Sequence, residues 1–114
     1  MKEARAKTRN ELLPGTLEML VLKTLSIEPM HGYGIAQHIQ MLSADVLTIE
    51  EGSLYPALQR MHVKGWVSPE WKISANNRRA RFYTLTAAGK KQLGVEESRF
   101  FQMFGAIRRV MKTT

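Results

Sequence analysis

The side chains of this 114-residue sequence with the clearest capacity for chemistry form two arginine groups. Gln59 and Arg60 stand side by side, and Arg78, Arg79 and Arg81 fall within four positions of one another. A guanidinium donates paired hydrogen bonds to guanine or to a phosphate, and a glutamine amide can pair in the same way with adenine. The two groups therefore predict recognition of an anionic partner, with nucleic acid as the first candidate.

The net charge of the chain is +7, from 17 basic and 10 acidic residues, and the excess is clustered. Between Trp71 and Val95 there is no acidic residue, whereas six are basic: Lys72, Arg78, Arg79, Arg81, Lys90 and Lys91. Clustered positive charge is typical of proteins that bind nucleic acid or an anionic membrane. The basic N-terminal arm has no apolar face to insert into lipid, so the pattern favours nucleic acid.

Catalysis and metal binding are not indicated by the residues present. The strongest general-base candidates are His31, His38 and His62, but no Ser/His/Asp arrangement, glycine-rich phosphate loop or metal-ligand spacing accompanies them. The absence of cysteine excludes disulfides and thiolate-rich zinc sites, and it fits a reducing compartment. We therefore expect neither an enzyme nor a cofactor.

Two short helices come first among the elements that must position these side chains. One is expected to start at Thr16, which is assigned as its N-cap, and to end before Pro29. The other is expected over residues 33–42. The connector that follows, residues 43–49, shows some β character.

The third helix carries the first arginine group. It is expected to start near Gly52-Ser53, where Pro56 fits the first turn because it has no N–H to donate, and to end at Gly65. Apolar residues at helical spacing form a buried stripe on one side of this helix. The opposite face carries Gly52, Pro56, Gln59 and Val63, and it is flanked by Tyr55 and Arg60.

The second arginine group falls in a predicted hairpin. Residues 66–73 and 80–85 are rich in aromatic and β-branched side chains, and the asparagines of residues 74–79 suit a turn between them. Pro69 cannot donate to a neighbouring strand, so its strand is expected at an edge of the sheet. The end of this two-stranded wing would present Arg78, Arg79 and Arg81.

A last helix is expected from Thr86, its N-cap, to about Met111. Its apolar side chains follow one side, and no later sequence could fold over them, so a second copy of the chain is the favoured cover. The predicted dimer interface consists of Leu93, Phe100, Phe101, Phe104, Ile107 and Met111.

The order helix, helix, helix, hairpin, helix is that of a winged helix-turn-helix. We therefore predict a mostly α (α+β) fold with a two-stranded wing and a long C-terminal dimerisation helix. Residues 1–12 would be a flexible basic arm, residues 13–85 the DNA-binding domain and residues 86–114 the dimerisation helix. An α-helix fits the major groove, and a dimer matches a two-fold DNA site.

Two further expectations concern the partners and the location of the chain. A protein-interaction adaptor with the same fold is the alternative function class, although an adaptor has no need of a basic wing. Neither a signal peptide nor a membrane-spanning segment is recognisable, so we expect a cytoplasmic protein without a membrane partner.

Four stretches of the sequence resemble the PadR-type transcriptional regulators. They are LPGTLEMLVLKTLS at 13–26, MHGYGIAQHI at 30–39, EGSLYPALQRMHVKGWV at 51–67 and RRARFYTLTAAGKKQL at 78–93. The third and fourth stretches are specific in combination, and the four follow the order of the family. The short tail resembles the small subfamily, which has a single C-terminal dimerisation helix.

The resemblance implies a homodimer that binds double-stranded DNA, usually as a repressor, and that sometimes releases DNA when a small molecule binds. It places Ser53, Tyr55, Pro56, Gln59 and Arg60 in the recognition helix, and it places Arg78, Arg79 and Arg81 in the wing. Tyr33 falls in the family's glycine-tyrosine motif, either as a DNA backbone contact or as an aromatic packed beside Ile35.

The resemblance also bears on the terminal helix. Some relatives bind flat aromatic molecules between the terminal helices of the two subunits. Such a space would be lined by Phe100, Phe101, Met103 and Phe104. Alternatively, these side chains would form a plain apolar interface.

Overall fold

The computed structural model describes residues 15–113 as four helices and three short strands. In chain order these are α1 (Thr16–Leu25), β1 (Met30–His31), α2 (Gly32–Leu42), α3 (Glu51–Val63), β2 (Val67–Ile73), β3 (Arg79–Leu85) and α4 (Ala87–Met111). The mostly helical winged-helix fold predicted from the sequence is confirmed. The predicted flexible arm, residues 1–12, lies outside the described residues.

The core lies where α1, α2 and α3 meet the sheet. Its fully buried side chains are Leu22, Ile35, Leu54, Leu58, Met61, Val21 and Val67. The three members from α3 recur at intervals of three and four residues, which is why one side of that helix is buried and the rest is exposed. None of the helices described here is long and apolar enough to cross a membrane.

Caps define several of the helix ends. The N-cap of α1 is Gly15, in the left-handed region at φ 87°, so the assignment of Thr16 as the cap is wrong. The N-cap prediction for Thr86 is confirmed, because its Oγ1 accepts from the Gly89 N–H at 3.0 Å. Gly65, at φ 81°, directly follows the last cap residue of α3, as expected for a helix closed by a left-handed glycine.

The sheet has three strands in the order β1-β3-β2, all antiparallel. The prediction missed β1, which pairs Met30 with Tyr83 and is too short to show an alternating pattern. The strand β2 is an edge strand, as Pro69 indicated. The β character expected for residues 43–49 is wrong, because Ala44 and Asp45 adopt left-handed turn conformations at φ 53° and 67°.

The terminal helix α4 begins inside the core and continues beyond it. Leu93 is buried in the chain's own core cluster, and Phe100 packs partly against that cluster. The remaining apolar side chains of the predicted interface are exposed: Phe101, Phe104, Ile107 and Met111. Leu93 is therefore corrected to a core residue, since the first turns of α4 cover α1 and β3 before the helix passes them.

Candidate nucleic-acid interface

The exposed sides of α3 carry all five side chains assigned to the recognition helix. Ser53, Tyr55, Pro56, Gln59 and Arg60 are all exposed. Pro56 lies in the second turn, because α3 begins at Glu51, so its placement in the first turn is wrong. A proline there leaves the carbonyl of Gly52 without a helical N–H partner, and exposure of Gly52 lets that oxygen be hydrated.

Tyr55 joins α3 to the start of α2. Gly32 is buried beneath its ring, and a Cβ at that position would stand only 2.5 Å from the Tyr55 hydroxyl oxygen. Partial burial, with smaller effects from negatively charged Glu51 and from Tyr83, raises the pKa of the Tyr55 phenol above its ordinary value of 10.0. The raised pKa favours the protonated phenol, the form that can donate a hydrogen bond.

Arg60 is held by a carboxylate on α1. Its Nε donates to Oε2 of Glu18 at 3.1 Å, and the Glu18 side chain is only 15% exposed whereas that of Arg60 is 56% exposed. The pair fixes one edge of the guanidinium, and the terminal N–H groups are left to face other acceptors. Sequence reasoning missed Glu18 because the two residues are 42 positions apart.

The arginines of the wing lie in two different parts of the hairpin. The Ser74 N–H donates to the carbonyl of Arg78 at 2.7 Å, and Asn77 adopts the left-handed conformation at φ 60°, as its residue type favoured. Arg78 belongs to this turn, whereas Arg79 and Arg81 are two residues apart on β3 and share one face of the sheet.

Trp71 is the residue of this surface that the sequence analysis missed. It pairs directly with Arg81 across the two strands, and its ring is 55% exposed. The guanidinium carbon of Arg79 lies 4.6 Å from the centroid of this ring, within the range of a cation–π contact. No local signal in the sequence marks this contact, because the chain neighbours of Trp71 are Glu70 and Lys72 and the arginines reach it only through strand pairing.

A groove runs between the helix-turn-helix and the wing. Its aromatic and basic lining comes from His31, Tyr33, Tyr55, Trp71, Tyr83, Arg78, Arg79 and Arg81. Ser53, Pro56, Gln59 and Arg60 do not line this groove, although they are exposed on the same helix as Tyr55. The structure thus brings both predicted arginine groups to the exposed surface and joins only the second group to the tyrosines.

Tyr33 stands at the α2 side of the groove. Its side chain is 61% exposed, and its hydroxyl oxygen accepts from Nε2 of Gln37 at 3.1 Å. The alternative in which Tyr33 is a packed aromatic beside Ile35 does not fit this exposure. A backbone contact to DNA stays a prediction.

The outer half of α4 presents a second exposed surface, which we call the terminal patch: Phe101, Met103, Phe104, Ile107, Val110 and Met111. The rings of Phe100 and Phe104 stack with their centroids 6.0 Å apart, and Phe101 meets Phe100 edge-on at 5.2 Å. The patch is therefore an exposed and largely apolar surface, which is typical of a site covered by another protein surface.

His31 stands at the start of α2 and also lines the groove. Nδ1 of His31 accepts from the Gly34 N–H at 3.0 Å and caps α2, and its ring meets Phe82 edge-on. Within residues 15–113, no three His, Cys, Asp or Glu side chains gather in a way that could hold a metal ion. The structure gives His31 a structural role that the sequence analysis did not identify.

Comparisons with known proteins agree with this architecture. The transcriptional regulator PadR-like family matches residues 21–95. A PadR family transcriptional regulator from Eggerthella lenta has a similar structure, with a TM-score of 0.73 and 28% identity over 88% of this chain and 85% of that one. A PadR-like transcriptional regulator from Bacillus cereus shares the fold at a TM-score of 0.79, with 23% identity over 92% of this chain and all of its own.

A more similar sequence belongs to a longer protein. The match is 36% identical over 90 residues to a 37.1 kDa protein of a Streptomyces fradiae transposon. It covers 79% of this chain but 24% of that protein. The family and the two solved structures are described as transcriptional regulators and not as enzymes, which agrees with the prediction that this chain is not an enzyme.

Proposed function

This chain belongs to the PadR-like family of transcriptional regulators, and we propose that it binds double-stranded DNA sequence-specifically as a homodimer and represses genes beside its own. The observation that carries the proposal is the groove, where three arginines of the wing turn and β3 face two tyrosines of the helix-turn-helix. Such a basic groove with aromatic walls suits a phosphate backbone more than an uncharged protein partner.

Each exposed side chain has a role in this proposal. Gln59 would pair with adenine, and Arg60 would donate to guanine through the terminal N–H groups that Glu18 leaves unoccupied. Phosphate oxygens would accept hydrogen bonds from three hydroxyls of the helix-turn-helix, those of Ser53, Tyr55 and Tyr33. Pro56 would lie against the DNA surface. Arg78, Arg79 and Arg81 would bind phosphates or the adjacent minor groove from the wing.

The terminal patch supports the dimer. In the proposed division, residues 13–85 bind DNA and residues 86–114 dimerise, with Phe100, Phe101, Phe104, Ile107 and Met111 at the interface. An exposed hydrocarbon surface is stabilised when a second copy covers it, and the two-fold axis then presents two recognition helices to a symmetric DNA site. The effector expected from the resemblance and the cytoplasmic location stay predictions.

The test is DNA binding measured by gel shift and fluorescence anisotropy, using fragments upstream of this gene and its neighbours. We expect one fragment to bind about a thousandfold more tightly than unrelated DNA, with affinity falling steeply as salt rises. If no fragment shifts even at low salt while the protein is folded, the DNA hypothesis fails and the adaptor alternative stands.

A matched pair of variants tests the part played by the wing. R78A/R79A should weaken binding to all sequences and lower the slope of log affinity against log salt by about 1 to 2. R108A/R109A removes the same charge from exposed positions at the end of α4 and should leave the slope nearly unchanged. Equal salt slopes for the two variants would show that the wing arginines do not contact the DNA.

A further inference from the structure

The geometry points to Trp71 as a positioning residue, which holds the Arg79 guanidinium on the groove side of the wing with its N–H groups free for phosphate. The functional consequence rests on the proposed DNA binding, whereas the Trp71–Arg79 contact itself can be measured without DNA.

Register in the sheet puts the two side chains on the same face. Ile73 is the direct partner of Arg79, and Arg81 is the direct partner of Trp71. Arg79 therefore reaches Trp71 along the diagonal of the hairpin, a distance that long and aromatic side chains can span. The guanidinium is directed back along the sheet toward the groove and does not extend past the wing tip.

The contact with Trp71 is closer than the neighbouring one on the same face. The guanidinium carbon of Arg79 lies 4.6 Å from the Trp71 centroid, whereas that of Arg81 lies 6.0 Å from the Tyr83 centroid, at the limit for a cation–π contact. The Arg79–Trp71 contact is thus the stronger of the two.

The type of partner decides what the arginine can still do. Arg60 gives its Nε to the carboxylate of Glu18, which consumes a donor and neutralises charge. The ring of Trp71 accepts the guanidinium without a carboxylate, so the positive charge and the N–H donors of Arg79 are preserved. The nearest acidic residue of the wing, Glu70, pairs with Phe82 and therefore lies on the other face of the sheet.

Holding Arg79 in this way lowers the entropy that binding must remove. A free arginine side chain has many accessible rotamers and loses most of that freedom when it is ordered. Part of that loss has already occurred when the guanidinium rests on the ring, so each phosphate contact by Arg79 is more favourable.

The test is a double-mutant cycle of W71L and R79A, measured by anisotropy on a random-sequence DNA duplex at low salt. We expect W71L to weaken binding about two- to fivefold in the unaltered background and to have no further effect once Arg79 is alanine. W71F keeps an aromatic face and should retain most of the affinity. I73A is the matched control, because Ile73 is exposed on the same face, and it should bind like the unaltered chain.

Losses that multiply in the double variant would overturn the positioning role, since they would mean that Trp71 contacts DNA independently. A second readout needs no DNA: the Arg79 side-chain NMR signals should be shifted by the indole ring and should move to free-arginine positions in W71L. Unchanged signals would also overturn the inference. If the unaltered protein binds no duplex, the proposed function fails, and the NMR result still decides the Trp71–Arg79 contact.

Discussion

Exposed aromatic side chains occur in two regions of this protein, and they have different partners. In the groove, the Tyr33 hydroxyl accepts from Gln37 and the Trp71 ring carries the Arg79 guanidinium. In the terminal patch, Phe101 and Phe104 contact Phe100 instead. Tyr33 and Trp71 thus have polar or charged partners, whereas the aromatics of the patch have hydrocarbon partners.

This difference separates two kinds of recognition surface. An aromatic with a polar partner tolerates water and leaves charge available, which suits a hydrated phosphate backbone. A stack of phenylalanines gains free energy mainly by excluding water, which suits a second apolar surface. One small chain therefore carries an anion-facing end and an apolar end.

Placing charge in the terminal patch is expected to have the largest effect. F104E/I107E would bury two unpaired carboxylates at the proposed interface and should weaken dimerisation by about two orders of magnitude or more. Light scattering at micromolar concentration should then report monomers. The control Q102E changes an exposed position on the opposite side of α4 and should remain dimeric. Dimers of F104E/I107E would place the interface elsewhere.

The junction between the two regions is the next most sensitive point. A Cβ at Gly89 would collide with the backbone carbonyl of Trp66, which accepts from the Thr86 N–H at 3.1 Å. Backbone cannot move aside as a side-chain tip can, so G89A should lower the free energy of unfolding by about 2 kcal/mol.

Thermal unfolding followed by circular dichroism measures this effect, and a matched glycine lies on the same helix. Gly94 has open space at its Cβ position, so G94A should raise stability by about 0.5–1 kcal/mol. Similar melting temperatures for the two variants would contradict a tight junction at the start of α4.

The smallest expected effect is on DNA affinity, when the hydroxyl of Tyr33 is removed from the groove. Y33F removes one exposed hydroxyl and should weaken DNA binding about two- to fivefold, while stability and oligomeric state stay unchanged. Anisotropy titration at fixed salt measures this change. An affinity equal to that of the unaltered chain would exclude the Tyr33 hydroxyl from the DNA contact.

Local patterns were sufficient to predict most of the helices and the wing. The apolar spacing of α3, the left-handed glycine at Gly65 and the cap at Thr86 involve residues within a few positions of one another. Their effects are therefore visible in a short window of sequence. The turn at Asn77 was predictable for the same reason.

Other features were hidden because they depend on distant partners. The two residues of β1 become a strand only because β3 supplies hydrogen bonds from more than 50 positions away. Leu93 has the same periodicity as Phe104, but it is buried because α4 passes the core at that point. Periodicity identifies an apolar side of a helix without saying what covers it.

The sequence by itself determined the order of the helices and the hairpin, the family resemblance and the sign of the charge at the wing, since each depends on neighbouring residues. Only the tertiary structure decided that Glu18 holds Arg60 and that Trp71 holds Arg79. It also decided where the apolar side of α4 leaves the core and becomes the terminal patch. These contacts join separate elements, and their geometry exists only once the core has fixed those elements relative to one another.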